Sequence, residues 1–388
     1  MAIADFNALM ALEGPTLLGD TRDIVNYVQR KTWTPSFLVA GRDDEEIFKA
    51  GPTLQDHIYL DKVDVGEWYD PNGLERNETN PQTTVQVTAN WRYYITSLTW
   101  QRQEVEHAAP SNAGDSYITH QYKDLIFSKK QNLGQALCDT LETSYWRVPS
   151  YADMEGSNAV VPYSIPTFIC EATNSTGIGV PTDADGAQTD WATMQGLSLT
   201  TSANLAFDNK RLTYDATGGV AADGDDLIGA LKRMRRQLKY QALPKDPEYG
   251  NKASTPNACL ASDIGMTYIE GGLRAGQDTW GAKELDDGDL MIGGVRMHYI
   301  EELDTLAVYD AGSSLGTEAS ATVTGPRYYF VSQEGLCPKF FEGMFLESDE
   351  PMKDVRQPLN YVQHYHLWAQ LWCRNRRFLG IVSPNQSL

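Results

Sequence analysis

From Val85 to Ile95 the odd positions carry Val85, Val87, Ala89, Trp91, Tyr93 and Ile95, and the even positions carry Gln86, Thr88, Asn90, Arg92 and Tyr94. That alternation is the period of a half-buried strand. Near Thr96 the apolar choice changes face, to Leu98 and Trp100. Unbroken extension from Val85 to Trp100 would reach roughly 53 Å, and an ordinary strand is a third to a half of that. Upstream, Tyr59 to Tyr69 leans towards strand and Asp70 to Gly73 ("DPNG") reads as a turn. The two stretches predict a long β-hairpin with a polar tip of about a dozen residues. A free two-stranded ribbon is marginal in water, so this arm needs a second molecule to lie on.

The period then changes. Ile118, Tyr122, Leu125, Ile126, Leu133, Leu137 and Leu141 recur at spacings of three, four or seven, with no proline and only Gly134 to weaken the run. They predict a helix over 117–146, capped by Asp115 or Ser116, at roughly 45 Å the spine of a domain. A second helix opens at Asp225-Asp226 and carries its Lys and Arg towards its end, the order that suits the helix dipole. Ala258 to Ala261 reads as a short strand running straight into a helix, and "LMIGGVRMHYIEEL" as a glycine-turned strand. Strand–helix–strand here predicts a compact α/β portion. Val362 to Pro384 is a long β-rich run with a basic patch at Arg374, Arg376 and Arg377. The first forty residues give two short helical patches broken by Gly14-Pro15, too short to stand alone. From Asp153 to Gly224, rich in Gly, Asn, Ser, Thr and Asp, few elements emerge.

Charge removes one class of partner. Against 32 Lys+Arg stand 52 Asp+Glu, a formal charge of −20 on 388 residues. A surface that acidic repels phosphate, which argues against DNA binding through a basic face. The five cysteines (Cys138, Cys170, Cys259, Cys337, Cys373) are odd in number, without CxxC, and read as reduced, mostly buried thiols. No run is long and apolar enough for a membrane helix, and no targeting segment is visible. Nucleotide-loop, zinc-protease and nucleophile-elbow motifs are all missing. His364 and His366 share one strand face but read as interface polarity beside Trp368 and Trp372 before they read as metal ligands. Asp183 to Asp190 lacks the closing glutamate of a calcium loop. Lys232 to Lys239 reads as the solvated half of a helix. Nothing gathers nucleophile, base and electrophile, so neither catalysis nor a cofactor is expected.

The order of parts is itself informative. "WRYYITSLTWQRQEVEH" leads through a short loop into "YKDLIFSKKQNLGQALCDTLETSYW"; later come "CLASDIGMTYIEGGLRAG", "DDGDLMIGGVRMHYIEEL" and the closing "RNRRFLGIVSP". From about Gln55 onward this resembles the major capsid proteins of tailed bacteriophages, the Hong Kong-97-type shell fold. The resemblance implies an α+β chain: an N-terminal arm (1–54), an extended β-hairpin loop with its return strand (55–107) and a peripheral domain with the spine helix (108–160). An axial domain (161–340) with an insertion over 153–224 follows, then a C-terminal return to the peripheral domain (341–388). It implies self-assembly as pentamers and hexamers into an icosahedral shell that encloses double-stranded DNA without reading its sequence. Assembly would take place in the host bacterial cytoplasm, the virion being the destination. A cement or decoration protein, a separate scaffolding protein and the portal are the further partners such a shell takes; no membrane is involved. Contacts between subunits are expected from the loop and arm, at Trp68, Tyr69, Leu74, Arg76, Trp91, Tyr93, Phe6 and Leu9.

Two departures from the family matter. The loop tip from Tyr69 to Gln82 has no lysine, and Lys62 lies well back on the limb, so the lysine–asparagine crosslink of some members is not expected at the tip. The chain opens directly on the arm, so a cleaved N-terminal scaffold is not expected either. Two other readings stay open here. One is an encapsulin-type nanocompartment shell, which shares the fold. The other is a carbohydrate-binding or hydrolytic surface protein that uses Trp68, Trp91 and Trp100.

Overall fold

The structure, a computed structural model, describes residues 34, 38, 48–49, 51–59, 84–101, 115–171, 191–199, 207–214, 224–238, 257–275, 290–292, 295–305, 326–333, 335–353, 356 and 360–384. In chain order the strands of five residues or more are β1 (Leu54–Tyr59), β2 (Thr84–Ala89), β3 (Arg92–Gln101), β4 (Lys210–Tyr214), β5 (Asn257–Ala261), β6 (Val295–Tyr299), β7 (Tyr328–Ser332), β8 (Leu336–Ser348), β9 (Asn360–Cys373) and β10 (Gly380–Pro384). The long helices are α1 (Asp115–Trp146), α2 (Gly224–Leu238) and α3 (Asp263–Ala275). The chain divides into two compact units. The first holds Met1–Pro35, Tyr93–Glu142 and Phe341–Trp368; the second holds Ser36–Arg92, Thr143–Phe340 and Ala369–Leu388.

In the first unit β9 pairs with β3, with β8 and, antiparallel, with Met352–Lys353. Strand alternation gives this sheet two faces. Leu98 and Trp100 of β3 and Tyr365 of β9 are buried on one, packed with Tyr361 and with Leu133 of α1; Trp100 stacks on Tyr361 at 6.0 Å. α1 runs 32 residues, about 48 Å at the usual rise. The expected spine helix therefore forms, and it starts at Asp115, so both expected capping residues lie inside it. Glu142 accepts the amide of Thr34 at 2.9 Å and its hydroxyl at 2.6 Å, which fixes that point of the N-terminal region onto the helix.

The second unit is built on a six-stranded sheet in the order β4, β10, β7, β5, β6 and Met291–Ile292. β5 and β6 are parallel, joined through α3, which is the strand–helix–strand portion read from the sequence. α2 buries Leu227, Ala230, Leu231, Met234 and Leu238 against Tyr214, Phe330 and Val382, at helical spacing. Its other side leaves Arg233, Arg235 and Arg236 exposed, the solvated basic face that was expected.

Three expectations change. The sixteen-residue strand is broken at Asn90–Trp91 into β2 and β3. The change of face comes at that break and not near Thr96: beyond it Arg92, Leu98 and Trp100 turn inward and Tyr93 and Ile95 turn out. The closing run does not return as one piece, because β10 is laid between β4, to which it is parallel, and β7, to which it is antiparallel, in the second unit's sheet. Gly380, Ile381 and Val382 are buried there; Val382 joins the core that α2 covers, and Gly380 lies close to Met234 and Leu238.

The third change concerns 153–224, read as an insertion with few elements, which adds to the core where it is described. Ile165–Phe168, Trp191, Met194, Leu197, Leu199 and Phe207 are all buried. Arg376, one of the supposed basic patch, is buried too, at 0% exposed. Its guanidinium donates to Phe168 O at 2.7 Å, Phe207 O at 3.4 Å and Asn209 Oδ1 at 3.1 Å, and contacts Cys170 Sγ at 3.3 Å. Asn209 and Arg211 in turn donate to the Cys170 carbonyl at 2.9 and 2.8 Å. A buried cation is tolerated only when its donors are taken up in this way. All five cysteines are free thiols, and only Cys138 is not fully buried.

The turn between β7 and β8 shows how closely the tail is seated. Gly335 O accepts the Arg374 amide at 2.8 Å, and a Cβ on Gly335 would lie 2.9 Å from the Asn375 carbonyl oxygen. Backbone cannot move aside as a side-chain tip does. Gly335→Ala is therefore expected to cost about 1–3 kcal/mol in a urea melt; an unchanged midpoint would show the turn to be loosely packed.

Candidate assembly surface

The outward face of the first unit's sheet is apolar where an open antiparallel sheet is normally polar. Tyr93 is 65% and Ile95 60% exposed. Tyr93 meets Trp368 edge-on at 4.7 Å, and Phe341 packs on the same indole at 4.8 Å. Met352 lies directly opposite Val362 on this face and is exposed, as is Phe345. Beside them the His366 ring bonds Asp349 at 3.0 Å. An exposed cluster of this kind marks an interaction surface. Among the described residues no group of three or more His, Cys, Asp or Glu could hold a metal ion, and no described helix is long and apolar enough to cross a membrane.

The root of the hairpin is the second feature. β1 and β2 pair antiparallel from Leu54↔Ala89 to Tyr59↔Thr84, with Leu54, Ile58, Val87 and Ala89 buried. At the break between β2 and β3 each residue is held. Asn90 O accepts from Gln370 Nε2 at 3.0 Å, and the Trp91 indole donates to Gly51 O at 3.0 Å. Arg92 donates to Met154 O at 2.5 Å and Val161 O at 3.1 Å. Gln370 Oε1 also accepts from Tyr163 N at 2.9 Å.

Beside Arg92 the Tyr163 hydroxyl donates to the Glu155 carboxylate. Burial pushes the Glu155 carboxyl above the usual range, although Tyr163, Arg92 and the Gly196 amide each favour its ionised form. A raised carboxyl binds its proton more tightly folded than unfolded. Its contribution to stability is complete below about pH 4.3, the unfolded value, and is lost as pH rises through the folded one. Glu155→Gln should therefore gain in melting temperature over the wild type as pH is raised from 4 towards neutrality. A difference that does not change with pH would contradict this.

Of the residues expected to touch a neighbour, Tyr93 lies on the outward face. Trp91 does not: it is 3% exposed and spent within its own chain. Trp68, Tyr69, Leu74, Arg76, Phe6 and Leu9 lie outside the described residues, as do Asp183 to Asp190 and the loop tip. Trp100 is buried as well, so Trp91 and Trp100 form no sugar-binding platform. Phe341 was not singled out, and Trp368 was named only as a neighbour of the two histidines. The signal for Trp368 was the alternation Val362, His364, His366, Trp368, where the paired histidines drew attention from the aromatic two residues on.

No family model and no curated protein matches the chain. Among solved structures it is similar to the cyanophage A-1(L) capsid asymmetric unit, at 11% identity and a TM-score of 0.56, over 95% of this chain and 98% of that one. The capsid of the native GTA particle covers 98% of this chain with 100% of its own at 12% identity and a TM-score of 0.48. The capsid of Ralstonia phage GP4 covers 98% with 98% at 13% identity and 0.46. The chain thus has, over 95% of its length, the fold of the cyanophage A-1(L) capsid chain.

Proposed function

We propose that this chain is the major capsid protein of a tailed bacteriophage, a structural protein and not an enzyme. Many copies meet as pentamers and hexamers in an icosahedral shell around packaged double-stranded DNA. The observation that carries this reading is the fold shared with a capsid chain over both chains' near-full lengths. The exposed aromatic face supports it, since a surface of that kind calls for a partner, and in a closed shell the partner is another copy. In this reading 1–54 is the arm, 55–107 the extended loop, 108–160 the peripheral portion with the spine helix and 161–340 the axial portion. Residues from 341 return to the peripheral portion before the chain ends in the second unit's sheet. The excess of 52 acidic over 32 basic residues suits a wall that must not hold DNA fast. A cement protein, a separate scaffolding protein and the portal are the partners of such an assembly, formed in the host cytoplasm and carried in the virion.

Electron microscopy of the size-fractionated protein expressed alone tests this. Closed shells tens of nanometres across, or rings and tubes of subunits, are the expected products. A monodisperse species of about 43 kDa that never assembles at high concentration would overturn the reading.

A further inference from the structure

We infer that Gln195 is a positioning residue that locks the root of the hairpin onto the rest of the second unit, so that the hairpin's direction is set before any neighbour arrives. What the hairpin then does rests on the shell reading; the lock is a property of one chain.

Met194 pairs with Leu197, which leaves Gln195 and Gly196 as a two-residue hairpin connection. Both have positive φ, 52° and 74°. Only the mirror-image turn with two left-handed central residues has that form, and its first position favours Asn, Asp or Gly. Glutamine there carries backbone strain, and this glutamine is 0% exposed. A buried amide under strain needs a compensating interaction. Its side chain lies along the backbone of Cys373; with the amide oriented so that both ends find partners, it donates to the carbonyl at 3.1 Å and accepts from the amide at 3.0 Å. Asparagine would suit the turn better but is one methylene too short for that reach.

The backbone of the same residue faces the hairpin. Gln195 O accepts the Thr88 amide of β2 at 2.9 Å, and Gln195 N donates to the Tyr163 hydroxyl at 3.4 Å. A Cβ on Gly196 would lie 2.8 Å from Thr88 Oγ1, so the turn is pressed against β2. One residue thus joins β2, the end of β9 and the 155–163 segment, two residues from the point where Gln370 holds Asn90. Were Gln195 merely a turn residue, Gln195→Gly and Gln195→Asn would relieve strain and leave the hairpin as firm or firmer. The lock requires the opposite.

Hydrogen exchange on the full-length chain, kept unassembled at low concentration, decides between them. In the wild type the amides of Leu54–Tyr59 and Thr84–Ala89 should be protected. In both variants they should exchange about tenfold faster or more, Thr88 foremost, as expected for losing two hydrogen bonds, while Asn257–Ala261 stays unchanged. Unchanged or slower hairpin exchange in the variants overturns the lock. So does free-peptide exchange of the wild-type hairpin, or an equal rise at Asn257–Ala261, which would mean global loss of stability. A wild type that shows the lock by exchange and yet never assembles would refute the shell reading and leave the lock standing.

Discussion

If the chain assembles as proposed, Tyr93→Lys combined with Ile95→Lys is expected to leave the subunit folded and to prevent shells from forming at concentrations where the wild type forms them. Both side chains are largely exposed in the single chain, so their replacement removes little internal packing beyond the edge-on contact of Tyr93 with Trp368. In an assembled shell each would be covered, and covering such a side chain contributes about 1.5–3 kcal/mol. Two ammonium groups placed in that contact add the cost of desolvating charge. Every 1.4 kcal/mol is about tenfold in an association constant, so the concentration needed for assembly should rise at least a hundredfold or so. Sedimentation of wild type and variant across a concentration series reads this directly. The conservative pair Tyr93→Phe and Ile95→Val should assemble nearly as the wild type does. Shells from the lysine variant at wild-type concentrations would show that this face lies outside the contacts.

Arg376→Ala is expected to be the most damaging single change to the fold itself. It would orphan the carbonyls of Phe168 and Phe207 and take one donor from the Asn209 side-chain oxygen, which keeps those of Cys170 and Arg211. Each buried acceptor left unpaired costs about 1–3 kcal/mol, and a cavity opens where the guanidinium lay over the Phe207 ring at 5.7 Å. A loss of about 3–5 kcal/mol is expected, a large share of a domain's net stability. Arg376→Lys should recover little, because one ammonium cannot reproduce the planar fork that reaches acceptors on two segments. Urea unfolding followed by tryptophan fluorescence measures both. A midpoint shift worth less than about 1 kcal/mol for alanine would mean that water replaces the guanidinium at its acceptors.

What was legible in the sequence was what local period encodes. The return strand of the hairpin, the spine helix, α2 with its basic solvated side, and the β5–α3–β6 unit each follow from residues within a turn or a pleat of one another. The break at Asn90–Trp91 was not legible. Val85 to Ile95 alternates without interruption, and only side chains far along the chain, Gln370 above all, stop the strand and turn it over. Trp91 was misplaced for that reason, and Tyr93, which the alternation set on the same face as Trp91, in fact turns the other way. Arg376 was misread because arginine near other arginines looks like surface, and its acceptors lie more than 160 residues earlier. The stretch around Ile165–Phe168 and Trp191 looked like loop because its small polar residues outnumber the few large side chains that it buries.

The place of β10 bears on how such a protein is made. Lys210–Tyr214 and Tyr328–Ser332 flank a gap that only Gly380–Pro384 fills. While the ribosome is still translating the residues before 380, both strands present unpaired backbone to solvent, the condition in which sheet edges aggregate or wait on chaperones. A chain broken off by premature termination before that point has no complete second unit to offer. If the first unit's outward face joins copies, the sheet's late closure sorts them beforehand: only messages read through to Pro384 yield subunits whose hairpin is seated and whose core is shut. Translational fidelity would then be checked by folding itself, before a single faulty copy could be built into a lattice of many.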